Sequence, residues 1–175
     1  MWGINDFKQW NKNGRQINEN VIQLNISVSN INILGNLENL VNLEKLYCGF
    51  NQLTSLEGIE KLTNLTHLFC SNNQLTSLEG IENLVNLEYL NCGYNQLTSL
   101  EEIENLNRSL SLKTLLCNDN QLTSLEGIEN LNGLLFLEVL NCSYNKLKSL
   151  EGIENLVNLK ILCCGNNQLT SLDGI

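Results

Sequence analysis

The chain of 175 residues contains no proline and no alanine, one histidine, and ten lysines and arginines against nineteen aspartates and glutamates. Proline and alanine use GC-rich codons and asparagine, present 31 times, uses AT-rich ones, so this bias reflects codon composition and carries no function. The lone histidine has no second histidine beside it, no serine or cysteine stands at a recognisable spacing from a base, and glycine occurs singly. Nucleophilic catalysis, zinc hydrolysis and nucleotide binding therefore lack their parts, and no catalytic residue, metal or cofactor is expected. The few basic residues are scattered and the formal net charge is −9, which argues against nucleic acid and against an anionic membrane surface. No run approaches 18 apolar residues, and Met1-Trp2-Gly3-Ile4-Asn5-Asp6 has neither a basic nor an apolar leader region. The expectation is a cytoplasmic chain whose seven cysteines are thiols.

What the sequence does have is repetition. Leu43-Glu44-Lys45-Leu46-Tyr47-Cys48-Gly49-Phe50-Asn51-Gln52-Leu53-Thr54-Ser55-Leu56-Glu57-Gly58-Ile59-Glu60 returns 22 residues later from Leu65, and further copies start at Leu87, Leu112, Leu137 and Leu159. A diverged copy starts at Val21, with Leu24 and Ile26 in the Leu and Cys places and Ser29 in the Asn place. Apolar residues recur at repeat positions 1, 4, 6, 11, 14, 17 and 20. One unit cannot enclose them, but stacked units can.

The unit LxxLxCxxNxLxxLxxIxxL resembles the 22-residue class of leucine-rich repeats, which includes the bacterial internalins and a regulatory subunit of protein phosphatase 1. The resemblance covers residues 21–175 and about seven copies, the last incomplete. It implies an α/β repeat solenoid, a right-handed arc with a parallel sheet on the concave face. Strands are expected at positions 3 to 5, and positions 14 to 20 are too short for a full helix, so short 3₁₀ or extended segments should return along the convex side. In this family the asparagine at position 9 is structural, a role that falls on Asn51, Asn73, Asn95, Asn120, Asn145 and Asn167. Stacked amides there satisfy backbone groups that leave the strand ladder.

Residues 1–20 read as an N-terminal cap. Asp6-Phe7-Lys8-Gln9 has the pattern of a helix N-cap with a side chain returning at N3, Gly14 is a stop, and Ile4, Phe7 and Trp10 share the side that should cover the first repeat. The chain stops in mid-repeat at Leu172-Asp173-Gly174-Ile175, which leaves two readings: a fragment of a longer protein, or an open end that makes a homodimer. Two units are 25 residues long, with the extra residues in 107–111 and 132–136 expected to form a convex ridge.

Several columns look chemical. Cys48, Cys70, Cys92, Cys117, Cys142 and Cys164 at position 6 point into the core and form no tetrahedral cage, while Cys163 at position 5 is the one candidate reactive thiol. Glu57, Glu79, Glu101, Glu126, Glu151 and Asp173 form one acidic column and Glu60, Glu82, Glu104, Glu129 and Glu154 a second. These lack the varied oxygen ligands of a calcium site and read as a solvated surface. The glycosylation sequons at Asn25, Asn64, Asn107 and Asn141 are chance matches in so asparagine-rich a chain.

Against this uniformity, variation concentrates at positions 2, 3, 5, 7 and 8. Lys45, His67, Tyr89, Val139 and Ile161 stand at position 3, Tyr47, Phe69 and Leu116 at position 5, and Phe50, Tyr94 and Tyr144 at position 8. All should project from the concave sheet or its rim. Aromatics there, with His67 among them, mark a protein interface. The expected function is a non-catalytic scaffold or protein-binding module with a protein partner on the concave face. Its rivals are a self-assembling protein joined through the C-terminal repeat, and the targeting segment of a larger enzyme.

Overall fold

The computed structural model describes residues 1–104, 106, 112–128 and 136–172. Each repeat supplies one three-residue strand: β1 Gln23–Asn25, β2 Lys45–Tyr47, β3 His67–Phe69, β4 Tyr89–Asn91, β5 Thr114–Leu116, β6 Val139–Asn141 and β7 Ile161–Cys163. They form a single seven-stranded parallel sheet in chain order. Successive side chains on a strand point to opposite faces, so the central leucine of each strand faces inward and its two neighbours face the concave side. Equivalent positions stand side by side, Leu46 against Leu68 and Leu68 against Leu90. The longer units keep the same register, Leu90 beside Leu115 and Leu115 beside Leu140. The expected ridge falls outside the described residues apart from Phe136, which is exposed.

The return path is a run of three-residue turns. Leu56, Ile59, Leu62 and Leu65 lie three apart, and each backbone N–H from Ile59 onward donates to the carbonyl three residues earlier, at 2.8–3.3 Å. Residues i and i+3 eclipse in such turns, so all four side chains fall on the core side. Leu78, Ile81, Leu84 and Leu87 repeat the arrangement. Its entry needs a left-handed residue, with φ of +104° at both Gly58 and Gly80. A Cβ on Gly58 would sit 2.1 Å from the carbonyl oxygen of Gly35 in the previous rung. The fourth rung has Glu102 where the second, third, fifth and sixth have glycine, and there the chain forms one helical turn, α2 below, over Glu101–Glu104.

The core is a set of stacked leucine and isoleucine columns with Cys48, Cys70, Cys92, Cys117 and Cys142 fully inaccessible among them. Burial pushes the Cys48 thiol up to about 12. Cys163 is exposed and Cys164 partly buried.

At the N-terminus the helix α1 spans Ile4–Lys12, and α2 is Glu101–Glu104. The cap differs from the sequence expectation: α1 begins before Asp6, with Gly3 as its N-cap. Asp6 sits at N3, and its carboxylate accepts the Gly3 backbone N–H at 2.9 Å. The reason is Trp2, whose backbone pairs with β1 through Trp2 N–H to Gln23 O (2.7 Å) and Asn25 N–H to Trp2 O (2.8 Å). That pairing holds Trp2 in register with the strand, so the chain turns into the helix immediately after it. Gly14, with φ of +80°, follows the helix end. Phe7 and Trp10 are buried and Ile4 packs against the same core. Arg15 clamps the cap: its guanidinium lies 5.9 Å from the Phe7 ring centroid and 5.6 Å from that of Trp10, and it donates to the Asn36 carbonyl. No described helix is long and apolar enough to cross a membrane.

Candidate functional site

The concave face is built by two rows of side chains, one on each side of the buried central leucine. Position 3 gives Lys45, His67, Tyr89, Thr114, Val139 and Ile161, and position 5 gives Tyr47, Phe69, Asn91, Leu116, Asn141 and Cys163. From β2 to β6 these residues are half-buried; on β7 Ile161 and Cys163 are exposed.

Parallel strands lie about 4.8 Å apart, close to the stacking distance of aromatic rings, so in-register aromatics stack. Tyr47 and Phe69 have ring centroids 4.5 Å apart and planes 6° from parallel. Phe69 and Tyr89 follow at 4.8 Å, His67 and Tyr89 at 5.8 Å, and His67 and Phe69 at 6.2 Å. Because the rings stack along the solenoid, an inner ring such as Phe69 presents its edge to the concave space and covers its faces with neighbours. The structure thus brings Tyr47, His67, Phe69 and Tyr89 into one cluster. Toward the C-terminus it gives way to Leu116, Val139 and Ile161, with Asn91 and Asn141 between. The side-chain oxygens of those two amides accept the N–H of Gly93 (3.2 Å) and Ser143 (3.1 Å). Among the described residues their NH2 groups have no hydrogen-bond acceptor and face the concave side.

Phe50, Tyr94 and Tyr144 make no ring contact with this cluster among the described residues. They sit on the rim in the left-handed region, at φ of 55–56°, and are 54–61% exposed. Asn72, Asp119 and Asn166 adopt the same φ in the intervening rungs. Asparagine and aspartate tolerate that region, whereas bulky residues are rare in it.

The turn out of each strand is fixed by the position-9 asparagines. Asn95 is typical: its Oδ1 accepts the Leu75 N–H at 3.0 Å, and its Nδ2 donates to the carbonyls of Cys70 (3.2 Å) in the previous rung and Cys92 (3.0 Å) in its own. Asn73, Asn120, Asn145 and Asn167 repeat this pattern. Asn51 makes the same bonds to the diverged first rung, accepting from Ile31 and donating to the carbonyls of Ile26 and Cys48, and accepts one more N–H, from Ser29.

Beside the cluster lies an open groove of about 440 Å³ lined by Ile22, Asn42, Glu44, Asn64, Thr66, Asn86 and Glu88. Glu88 pairs with Lys113 at 3.0 Å. Burial lowers the His67 pKa, with Lys45 adding to the effect, and burial raises that of Tyr89.

The family described as leucine-rich repeats (two copies) matches residues 63–105 and 136–175. An internalin from Listeria monocytogenes superposes with a TM-score of 0.80 at 25% identity, over 89% of this chain and 44% of that one. A leucine-rich-repeat protein from Leptospira interrogans gives 0.67 at 29% identity, over 88% and 45%. The chain is a leucine-rich-repeat protein. Internalin C2 of Listeria monocytogenes shares the fold, with a TM-score of 0.60 at 23% identity over 93% and 75% of the two chains. This leucine-rich-repeat protein spans less than half the length of the first two structures. No curated protein sequence matches it. Leucine-rich-repeat domains are in general protein–protein interaction modules.

Some features of this repeat protein escape a reading by position. The second acidic column is not simply solvated, because the carboxylates of Glu60, Glu82 and Glu154 accept the backbone N–H of Gly58, Gly80 and Gly152. The signal was the fixed Gly-x-Glu spacing, which brings an acceptor to a left-handed glycine. Among the described residues no group of histidine, cysteine and carboxylate side chains could hold a metal ion.

Proposed function

We propose that this chain is a non-catalytic protein-binding module whose partner sits on the concave face. The site runs over Lys45, Tyr47, His67, Phe69 and Tyr89, continues along Leu116, Val139 and Ile161, and has Phe50, Tyr94 and Tyr144 at its rim. The observation that supports this reading best is the ring cluster of Tyr47, Phe69, Tyr89 and His67. The core is already filled by the leucine columns, so the cluster lies outside it as a continuous apolar patch on an open sheet. Aromatic patches flanked by polar groups characterise interfaces.

The test replaces Tyr47, Phe69 and Tyr89 together by alanine. Proteins retained by the immobilised wild-type chain and by the variant are compared, with circular dichroism of both as the control for folding. Loss of a retained partner in a folded variant is the expected result; equal retention would reject this face.

A further inference from the structure

Within the concave cluster, one hydrogen-bonding group has its state set by its neighbours. Thr66 Oγ1 lies 3.0 Å from the carbonyl oxygen of Glu44 and 2.9 Å from Nδ1 of His67. A carbonyl oxygen has no proton to give, so the first contact takes the single hydroxyl proton of Thr66. The Glu44 oxygen also accepts the N–H groups of Thr66 (2.8 Å) and His67 (3.0 Å). Its third contact is a shared one, but a bare oxygen–oxygen approach at that distance would be repulsive. With the hydroxyl proton directed at the Glu44 oxygen, the second contact takes its proton from the ring, on Nδ1. Nε2 has no hydrogen-bond partner among the described residues.

The groups around the ring make this distinctive. Lys45 offers an ammonium, a donor, and Tyr89 a hydroxyl, which can donate or accept. The carboxylate of Glu88, the acidic group that acts on the ring, is tied to Lys113. Burial, Lys45 and Lys113 all disfavour the charged ring and Glu88 opposes them, with burial the largest influence, so the neutral imidazole is favoured. Phe69 and Tyr89 stack against it.

We propose that Thr66 holds His67 as the Nδ1–H tautomer, so that its bare Nε2 is a hydrogen-bond acceptor within the concave ring cluster, and that the polypeptide seated there presents a hydroxyl or N–H donor between apolar side chains. The partner class rests on the concave-face reading; the tautomer does not. His67 is thereby a specificity-determining residue: a partner with an acceptor at this point meets a lone pair and is disfavoured.

The experiment uses the intact chain, labelled with nitrogen-15, whose only histidine gives the only imidazole signals. A protonated Nδ1 and a bare Nε2 at neutral pH are expected; a protonated Nε2 overturns the proposal. Thr66→Val should shift the ring toward Nε2–H, and an unchanged tautomer removes Thr66 from its role. The two probes are 4-methylphenol, with an aromatic body and a hydroxyl donor, and 4-methylanisole, which lacks the donor. The phenol should move the Nε2 resonance at lower concentration than the anisole, and equal responses reject the donor requirement. All three readouts concern the chain alone, so they stand or fall separately from partner retention by the triple alanine variant.

Discussion

The asparagine column and the concave rows belong to the same repeats, a few residues apart, yet they obey opposite rules. Position 9 is asparagine in six consecutive rungs, because each side chain bonds backbone atoms of two rungs and no other side chain has the same length and both a donor and an acceptor. Positions 3 and 5 differ from rung to rung, because their neighbours are other side chains and solvent. Backbone is the same everywhere and demands one partner; side-chain neighbours can be exchanged. The buried cysteine column behaves like the asparagines, and the rim residues behave like the concave rows.

The contrast can be broken most forcefully by pH. Unfolded thiols ionise near about 8.5, whereas Cys48 and Cys142 keep their protons to about 12, and Cys70, Cys92 and Cys117 are also raised by burial. Above the unfolded value the unfolded chain binds fewer protons than the native one, so stability falls as pH rises. It is fully present below that value and declines by about 1.4 kcal/mol per pH unit per buried thiol. Urea midpoints at pH 8 and pH 10 should differ strongly, and the difference should shrink when Cys70, Cys92 and Cys117 become alanine. Matching midpoints in the wild type would count against buried thiols of this kind.

Next in size is Asn95→Ala. It orphans the Leu75 N–H in the interior and removes one of the two amide donors from each of the Cys70 and Cys92 carbonyls, which keep Asn73 and Asn120, and should cost about 3 kcal/mol in urea unfolding. Asn167→Ala should cost less, since Asn167 is only partly buried. Equal losses would show that burial does not set the cost.

Two convex glycines give a smaller, paired effect. Alanine at Gly80 pays for the left-handed backbone alone, about 1–2 kcal/mol, because the nearest atom to its added Cβ is 3.5 Å away. At Gly127, with φ of +95°, the added Cβ would also lie 2.4 Å from the Leu100 carbonyl oxygen, so thermal denaturation should rank this variant lower. Reversal of that order would place the strain in the backbone only.

The smallest effect on stability belongs to the concave face. Phe69→Ala removes the middle ring of the stack and should cost about 1 kcal/mol, measurable by urea unfolding. A loss as large as that at Asn95 would make the cluster part of the core.

Much of the fold was legible because a residue's surroundings in a solenoid are copies of itself. Once the 22-residue recurrence is seen, the inward position of Leu68 and the parallel pairing of β2, β3 and β4 follow. The failures come where the environment is not periodic. Asp6 has the pattern of an N-cap because that pattern considers only helix chemistry, whereas the pairing of Trp2 with β1 starts the helix earlier. For the candidate site, periodicity located Tyr47, His67, Phe69 and Tyr89 on the sheet. It could not foresee that their rings would stack and leave Phe50 and Tyr94 apart, because that depends on the left-handed backbone at position 8. The proton position on His67 lay further still from the sequence, since it follows from two contacts of one hydroxyl.

The asparagine that reaches into the previous rung has one more consequence. Every bond it makes is to backbone, and backbone atoms are the same in any rung, so a rung recognises its predecessor without regard to that predecessor's identity. Length is therefore an open variable of this architecture. A duplicated or deleted unit of 22 residues leaves both new junctions chemically equivalent to the old ones, and the concave surface gains or loses one row of two side chains. The number of rows can change by whole-unit exchange in the gene, with no compensating substitution elsewhere.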